Sequence, residues 1–263
     1  MNRMPDMDGP AYDEFARFYN RHWASSPYYR EAQAVLDCLL FSLLPRGSAV
    51  LDLCCGTGIM ARAAVKRGFA VTGLDISGGM LRYARRELPQ SAFLQCDARS
   101  FLLPPMFSGA FSTFESMNHI LTASGLEQVF SRVSAALAPG GIFVFDLLTE
   151  QAYETLWSGS YEMSDVGESC ILRGGYDPRR RTAWTDVKIF RRGSGGTSSA
   201  RISEKFHDPG ETARSLAGAG FADAGLFCAD TDLGMTGKFG VGRVFLRAVK
   251  PGLLEHCQEV KPT

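Results

Sequence analysis

Short apolar runs alternate with amphipathic stripes along the first half of the chain. Residues 49–53 and 70–75 are compact runs rich in Val, Leu and Ala, which is typical of strands buried on both faces of a parallel sheet. Between them, residues 59–67 have the pattern of a helix that stops at Gly68. A third strand follows at residues 91–98. This alternation of strands and helices predicts a doubly wound α/β sheet.

The pattern continues to the C-terminal side with the same alternation. Residues 107–114 and 142–146 predict two more strands. The helix between them has an apolar stripe made of Leu126, Val129, Phe130, Val133 and Leu137. A capping-box pattern at Asp208 begins a last helix, and residues 224–228 and 241–249 predict a closing hairpin.

Residues 149–207 depart from this alternation. Three segments with partial period-two patterning, at residues 168–173, 182–190 and 199–206, are separated by turns rich in Gly and Pro. They predict an antiparallel β meander inserted before the last helix. We therefore divide the chain into a main domain of residues 1–148 and 206–250, an inserted substrate-cap or dimerisation subdomain of residues 149–205, and a loose tail of residues 251–263.

Two N-terminal helices precede the first strand. Asp8, Gly9 and Pro10 form a helix-start pattern, and the aromatic positions that follow share one face at helical spacing. A second helix is predicted over residues 29–44, with the apolar face Ala32, Val35, Leu36, Leu39 and Leu43.

Composition narrows the class of protein. The 263 residues carry 28 Lys and Arg against 28 Asp and Glu, so no net charge attracts polyanions and nucleic acid is not favoured as a partner. No apolar run approaches the roughly 20 residues of a membrane span, and residues 1–10 lack a signal-peptide pattern. The seven cysteines show no C-x-x-C spacing, which predicts reduced thiols, no metal and a cytoplasmic location.

The glycine-rich turn after the first strand carries the most specific signal. The stretch VLDLCCGTG over residues 50–58 resembles motif I of the class I S-adenosylmethionine-dependent methyltransferases, and it departs from that motif at Cys54, where glycine is commoner. The resemblance implies a Rossmann-like doubly wound seven-stranded sheet, mostly parallel with a reversed last strand. It also implies S-adenosylmethionine as cofactor, with S-adenosylhomocysteine as product.

Three acids at successive strand ends support the same resemblance. Asp52, Asp75 and Asp97 end or follow the first three strands, and parallel strands place such ends along one crevice. In the family the second acid binds the ribose and the third binds the adenine amino group. From the residues alone, Asp75 indicates an adenosine nucleoside without choosing the cofactor, and the alternative is a helix cap beside Ser77.

The N-terminal helix resembles the lid of small-molecule methyltransferases, because residues 12–20 follow the pattern Y-D-x-h-A-x-x-Y-D with Asn20 at the end. A purely structural aromatic face is the alternative. Together, the matched positions imply this set of cofactor contacts: Tyr12, Tyr19, Asp52, Cys54, Cys55, Gly56, Gly58, Asp75, Ile76, Met80, Asp97, Ala98 and Phe114.

The stretch FESMNHI over residues 114–120 resembles the acceptor side of relatives that methylate small amines and hydroxyls. His119 and then Glu115 are the candidate bases, with His207 third, because the ordinary pKa of histidine, about 6.5, suits proton removal at neutral pH. Asn118 is the candidate substrate contact. A histidine satisfied by the backbone is the structural alternative.

The sequence thus predicts a methyltransferase for a small-molecule amine or hydroxyl, with nitrogen slightly favoured. An RNA- or protein-modifying enzyme and a non-catalytic cofactor-binding protein remain alternatives, and so does a homodimer built on the insert. The D/N-P-P-Y/F motif of amino-base methyltransferases is absent from the sequence. The residues Cys54 to Ile59 also break the G-x-G-x-x-G pattern of a nicotinamide oxidoreductase.

Overall fold

The computed structural model describes residues 9–157, 159–193 and 196–252, which form two sheets and their helices. The predicted cap at Asp8 lies outside these residues, as does the predicted tail apart from Pro251 and Gly252. The strands are β1 (Ala49–Leu53), β2 (Ala70–Asp75), β3 (Ala92–Gln95), β4 (Phe107–Ser112), β5 (Leu137–Leu148), β6 (Gly159–Asp165), β7 (Glu168–Asp177), β8 (Thr182–Arg191), β9 (Thr197–Lys205), β10 (Ala222–Cys228) and β11 (Arg243–Val249).

The larger sheet has seven strands in the order β10-β11-β5-β4-β1-β2-β3. Strands β1 to β5 pair in parallel, whereas β11 is antiparallel to both of its neighbours. The prediction of a mostly parallel seven-stranded sheet with a reversed last strand is therefore confirmed. Strand β1 lies at the centre, where Val50, Leu51 and Leu53 are fully buried, as its apolar sequence requires.

Helices cover both faces of this sheet. Their bounds are α1 (Gly9–His22), α2 (Pro27–Leu39), α3 (Ile59–Lys66), α4 (Gly78–Glu87), α5 (Ala123–Ala136), α6 (Glu150–Leu156) and α7 (Pro209–Gly218). Apolar side chains of α2, α3 and α4 pack in one core, and those of α5 and α7 pack in a second core. The helix start predicted at Asp208 is confirmed, because its side chain accepts from the backbone N–H of Glu211 as the N-cap of α7.

The second helix is shorter than its sequence pattern predicts. It ends at Leu39 and is followed by a single 3₁₀ turn over Phe41–Leu43. Ala32, Val35, Leu36 and Leu39 are buried as expected, whereas Leu43 is 49% exposed. The prediction for Leu43 was therefore wrong, because the 3₁₀ turn rotates it away from the core face.

The insert forms a four-stranded antiparallel sheet in the order β6-β7-β8-β9, one strand more than the sequence predicted. The missed strand β6 has only Met163 buried among its described side chains, so it shows no apolar alternation. Helix α6 was also missed. One face of this sheet packs on α1, where Phe15 and Phe18 contact a core that includes Val187 and Ile202. The insert and the N-terminal helix therefore share a hydrophobic core.

Candidate active site

The carboxyl ends of β1 and β2 and the loop after β3 open into one cavity beneath α1. The topology brings Asp52, Asp75 and Asp97 to this edge, as their positions after parallel strands predict. The cavity is lined by most of the residues implied as cofactor contacts, namely Tyr12, Tyr19, Asp52, Cys54, Cys55, Gly56, Asp75, Ile76, Met80, Asp97, Ala98 and Phe114. His119 also lines it, whereas Gly58, Glu115 and Asn118 do not.

The loop after β1 needs residues that tolerate left-handed backbone conformations. Cys54, Gly56 and Gly58 have φ values of +58°, +53° and +79°. Cys54 therefore occupies a conformation that favours glycine, which explains why its departure from the motif is unusual. Gly58 precedes α3, and a Cβ there would lie 3.0 Å from the Cβ of Ala84. It contributes close helix packing and lies outside the cavity wall.

Asp75 organises the turn that joins β2 to α4. Its carboxylate accepts hydrogen bonds from the backbone N–H groups of Gly56 and Ser77, each at 2.8 Å. The N-cap of α4 is Ser77, whose hydroxyl accepts from the N–H of Met80, so Asp75 is not the cap. Burial raises the pKa of Asp75, and the two backbone donors partly oppose this. Each carboxylate oxygen still has a lone pair that can accept from a ligand hydroxyl.

Two buried polar atoms in the cavity wall have no hydrogen-bond partner among the described residues. They are Oδ2 of Asp52, a residue that is 2% exposed, and Oγ1 of Thr57, a residue that is 3% exposed. Burial and then the nearby Asp75 carboxylate raise the pKa of Asp52 well above its ordinary value. Buried polar groups are rarely left unsatisfied, so both atoms indicate a polar, cationic or hydrogen-donating ligand in this cavity.

Asp97 is engaged differently from the other two acids. Its carboxylate accepts from the Arg99 guanidinium at 2.7 Å and from the Arg99 backbone N–H at 2.8 Å. Burial would raise the pKa of Asp97, but the hydrogen bonds from Arg99 outweigh it and lower the pKa. Recognition of an adenine amino group by Asp97 stays a prediction, and any such contact has to share the carboxylate with Arg99.

Helix α1 is fastened over the cavity by Asp13. One carboxylate oxygen accepts from the Ser77 hydroxyl and from the Gly79 backbone N–H, both at 2.6 Å. The approach is so close that a Cβ on Gly79 would lie 2.7 Å from the Cα of Asp13. This contact joins the N-terminal helix to the first turn of α4, and it places Tyr12 and Tyr19 in the cavity wall.

His119 has a defined tautomer in this site. Its Nδ1 lies 3.2 Å from the carbonyl oxygen of Ser203, which can only accept, so Nδ1 carries the proton. In the neutral ring Nε2 then holds the lone pair, and it accepts from the Tyr12 hydroxyl at 3.2 Å. His207, the third candidate base, bonds the carbonyl of Ile120 instead, and burial lowers its pKa.

Glu115 and Asn118 have structural partners. The Asn118 side chain is fully buried and bonds three backbone groups, those of Leu148 N–H, Leu148 C=O and Lys205 C=O. These bonds engage the side-chain amide, and Asn118 does not line the cavity at the strand ends, so its contact with a substrate stays a prediction. Glu115 forms a buried ion pair with Arg243 at 2.6 Å. It lines a neighbouring cavity instead of the one at the strand ends.

A second cavity of about 810 Å³ lies between α1, the insert sheet and the 3₁₀ segment Ser116–His119. Tyr12, Tyr19, Phe114 and His119 line both cavities, so the two cavities adjoin at these side chains. A pocket of this size suits a small organic molecule. A ligand in each cavity would face the other across the Tyr12–His119 pair.

Several residues of the first cavity are absent from the set that the sequence predicts: Tyr29, Thr57, Ile59, Met60, Cys96, Arg99, Thr113, Ser116 and Ile120. Thr57 belongs to the glycine-rich loop and Cys96 and Arg99 flank Asp97, so adjacency to predicted residues could have found them. Tyr29 had no such signal. Its hydroxyl lies 2.5 Å from that of Tyr19, a contact between α1 and α2 that only the fold creates.

The fold is a doubly wound α/β sheet with two adjoining cavities at the carboxyl ends of its central strands. Residues 50–141 match the family model described as a methyltransferase domain. Together with the fold, this domain match agrees with the resemblance to the class I S-adenosylmethionine-dependent methyltransferases and with the cofactor expected of that family.

Two curated relatives are sugar-modifying enzymes. The chain is 34% identical over 119 residues to dTDP-3-amino-3,4,6-trideoxy-alpha-D-glucopyranose N,N-dimethyltransferase of Streptomyces venezuelae, covering 45% of this chain and 50% of that protein. It is 32% identical over 143 residues to dTDP-3-amino-3,6-dideoxy-alpha-D-glucopyranose N,N-dimethyltransferase of Streptomyces fradiae, covering 52% and 56%. The match thus spans about half the length of these relatives.

Solved structures share the fold over nearly the whole chain. An S-adenosylmethionine-dependent methyltransferase from Clostridium acetobutylicum superposes with a TM-score of 0.72 at 18% identity, over 92% of this chain and all of that one. The sugar N-methyltransferase KedS8 from Streptoalloteichus gives a TM-score of 0.71 at 18% identity, over 95% and 97%.

The described residues also bear on metal-binding groups, membrane-spanning helices and disulfides. Within residues 9–157, 159–193 and 196–252, no group of three or more His, Cys, Asp or Glu side chains is placed to hold a metal ion. Among the helices described for this chain, none is long and apolar enough to cross a membrane. The cysteines of the described segments are free thiols, and Cys257 lies outside them.

Proposed function

We propose that this protein transfers the methyl group of S-adenosylmethionine to the nitrogen of a small-molecule amine. The observation that carries the proposal is the junction of two cavities at Tyr12, Tyr19, Phe114 and His119. A cofactor in the first cavity and an acceptor in the second meet there. Such an arrangement holds the reacting atoms in near-attack geometry and excludes water.

The first cavity offers groups that suit this cofactor. Asp75 would accept from the ribose hydroxyls, and Asp52 and Thr57 supply the two unsatisfied buried oxygens for the amino-acid portion. Met80 and Ile76 would contact the nucleoside. When bound, S-adenosylmethionine supplies a sulfonium-activated methyl group that a lone pair can displace.

His119 and Tyr12 are the residues we assign to the acceptor nitrogen. The Nε2 lone pair of His119 and the Tyr12 hydroxyl form a hydrogen-bonded pair in the wall shared by both cavities. The pair can accept a proton that the acceptor loses, and it can orient the nitrogen lone pair. Glu115 is held by Arg243, so we assign it to positioning Phe114 instead of proton removal.

The names of the sugar-modifying relatives favour nitrogen over oxygen. The two Streptomyces enzymes and KedS8 are named as N-methyltransferases of sugars. We therefore extend the proposal to an acceptor of amino-sugar type. The division into a main domain and an acceptor-covering insert of residues 149–205, the cytoplasmic location and the homodimer all belong to this proposal as well.

The cofactor part of the proposal is tested by calorimetric titration. We expect micromolar binding of S-adenosylmethionine and S-adenosylhomocysteine and no binding of NAD. Methyl transfer from labelled cofactor is then measured on small amines and on alcohols of the same shape, with transfer to the amines expected. Asp75→Ala should abolish cofactor binding, whereas the exposed Asp230→Ala should not. If neither sulfur nucleoside binds the wild-type protein, the proposal is wrong.

The fastening of α1 gives a further prediction for cofactor binding. We expect Asp13→Ala to raise the cofactor dissociation constant about tenfold, because hydrogen bonds to a charged group contribute about 1.5–3 kcal/mol and their loss frees α1 from α4. Titration calorimetry and stopped-flow dissociation measure this effect, which should be mainly a faster off-rate. Asp13→Asn keeps an acceptor oxygen and is the matched control. An unchanged off-rate in Asp13→Ala would exclude the lid role.

A further inference from the structure

A buried carboxylate in the second cavity has no role in the function proposed so far. Glu204 lies on β9, is 4% exposed and lines this cavity. Its Oε2 accepts from the Tyr153 hydroxyl at 2.8 Å. Ile202 lies two residues earlier on the same strand, and it packs against the α1 core, so both side chains point to the cavity face of the sheet.

Strand β9 also places Glu204 close to His119, at the end of the cavity that adjoins the first cavity. The carbonyl of the preceding residue, Ser203, accepts from Nδ1 of His119. Glu204 is therefore one residue from the contact that orients the His119 ring. The carboxylate and the Tyr12–His119 pair belong to the wall of a single cavity.

Carboxylates outnumber strong bases in the buried part of this wall, as far as the described residues show. Glu115 and Glu204 line this wall, and the guanidinium of Arg243 is shared between Glu115 and Asp146, which lies behind the wall. The described wall also contains His22, His119 and the exposed Lys238. Burial and the Glu204 charge raise the pKa of Tyr153 well above its ordinary value, so this partner stays a neutral donor. A cationic ligand would stabilise a buried carboxylate in such surroundings.

The rest of the wall suits an organic cation. Aromatic rings surround the space, namely Phe15, Trp23, Phe114, Trp157, Tyr161 and Phe239. Aromatic faces attract ammonium groups, and they also cover apolar carbon frameworks. The cavity therefore combines a buried carboxyl group with surfaces that bind cations and hydrocarbon.

We propose that Glu204 recognises a positively charged ammonium group of the acceptor and so selects amines over alcohols. The inference rests on the proposed function, because it assigns the second cavity to the acceptor. It concerns binding before transfer: a nitrogen attacks only after releasing its proton. Glu204 is therefore expected to act on KM and not on kcat.

The test compares two probes of equal shape, 2-phenylethylamine and 2-phenylethanol, on protein saturated with S-adenosylhomocysteine. Wild-type protein should bind the amine at least tenfold more tightly than the alcohol. Glu204→Gln should reduce amine affinity at least fivefold and leave alcohol affinity unchanged. The amide oxygen can still accept from Tyr153, so the variant keeps that hydrogen bond. Glu162→Gln removes an exposed charge from the same insert sheet and is the matched control.

Two further measurements separate the possible failures. Tyr153→Phe removes the hydrogen bond but keeps the carboxylate, so it should retain the preference for the amine. Titration of S-adenosylhomocysteine on every variant reports the proposed function independently. Equal affinity of wild-type protein for both probes, or an unchanged amine affinity in Glu204→Gln, would overturn the role of Glu204. If the wild-type protein does not bind S-adenosylhomocysteine, the proposed function is wrong instead.

Discussion

Replacing Arg243 with methionine is expected to lower the free energy of unfolding by about 3–5 kcal/mol, the usual cost of leaving a buried charge without its partner. Arg243 is 4% exposed and its guanidinium donates to Glu115, to Asp146 and to the carbonyl of Phe239. It also stacks 4.7 Å from the centre of the Tyr28 ring. Its removal would leave two buried carboxylates facing each other.

Removal of Arg243 should also change the conformation of the active site. Phe114 and Glu115 have φ values of +64° and +48°, which residues with a Cβ rarely adopt. The Tyr28 hydroxyl accepts from the Phe114 N–H, and Asp146 accepts from the Glu115 N–H, so the network holds both residues in this conformation. Because Phe114 lines both cavities, its relaxation would disrupt the place where cofactor and acceptor meet.

Urea unfolding measures this prediction, with cofactor titration beside it. Arg247→Met, on the same strand but only partly buried, is the matched control and should change stability by about 0.5 kcal/mol or less. The double variant Arg243→Met with Glu115→Gln should recover part of the loss, because it removes one of the uncompensated charges. A single variant within about 1 kcal/mol of the wild type would show that the network does not hold the fold.

Much of the larger sheet could be predicted because buried parallel strands leave an unmistakable local pattern. Residues 49–53 and 70–75 are apolar since both of their faces are covered by helices. The same topology explains why the sequence alone places Asp52 and Asp75 in one crevice. The local sequence pattern was sufficient to predict the strands and their ends wherever the fold repeats the strand–helix unit.

The remaining features depend on contacts between distant segments. Arg243 and Asp146 are 97 residues apart, and neither lies in a pattern that marks a buried ion pair. Asp13 accepts from the Ser77 hydroxyl and from the Gly79 N–H because α1 lies on the start of α4, a contact between segments more than 60 residues apart. Asn118 looked like a substrate contact, but the ends of β5 and β9 satisfy its amide. Such roles arise only from tertiary packing.

Asp52→Asn is expected to make the cofactor-free protein more stable while it removes cofactor binding. Burial and the neighbouring Asp75 charge raise the pKa of Asp52 well above its ordinary value, so the folded state binds its proton more tightly than the unfolded state. Stability contributed by this group is therefore present at low pH and is lost as pH rises through the raised pKa. At neutral pH the unfolded chain has released this proton, so keeping the carboxyl group in its buried site costs the empty protein free energy that a neutral amide does not cost.

With cofactor bound, the wild type should be more stable than Asp52→Asn. The positively charged groups of the cofactor would compensate the carboxylate, and the wild type should gain about 2.7 kcal/mol when the cofactor is present at about 100 times its dissociation constant. Melting curves with and without S-adenosylmethionine measure both effects. Each change of about 1 kcal/mol corresponds to about 2–4 °C for a chain of this size.

The pH dependence identifies the cause. Without cofactor, Asp52→Asn should melt above the wild type at about pH 7.5, and the difference should shrink as the pH falls and the wild-type carboxylate gains its proton. Thr57→Ala removes the other unsatisfied oxygen without removing a charge, so its difference from the wild type should not change with pH. A variant that melts below the wild type at neutral pH would mean that Asp52 supports the fold. In the expected case, the empty protein keeps a buried carboxyl group whose cost to stability is removed when a cation binds in this cavity, so the binding site is maintained at the expense of stability.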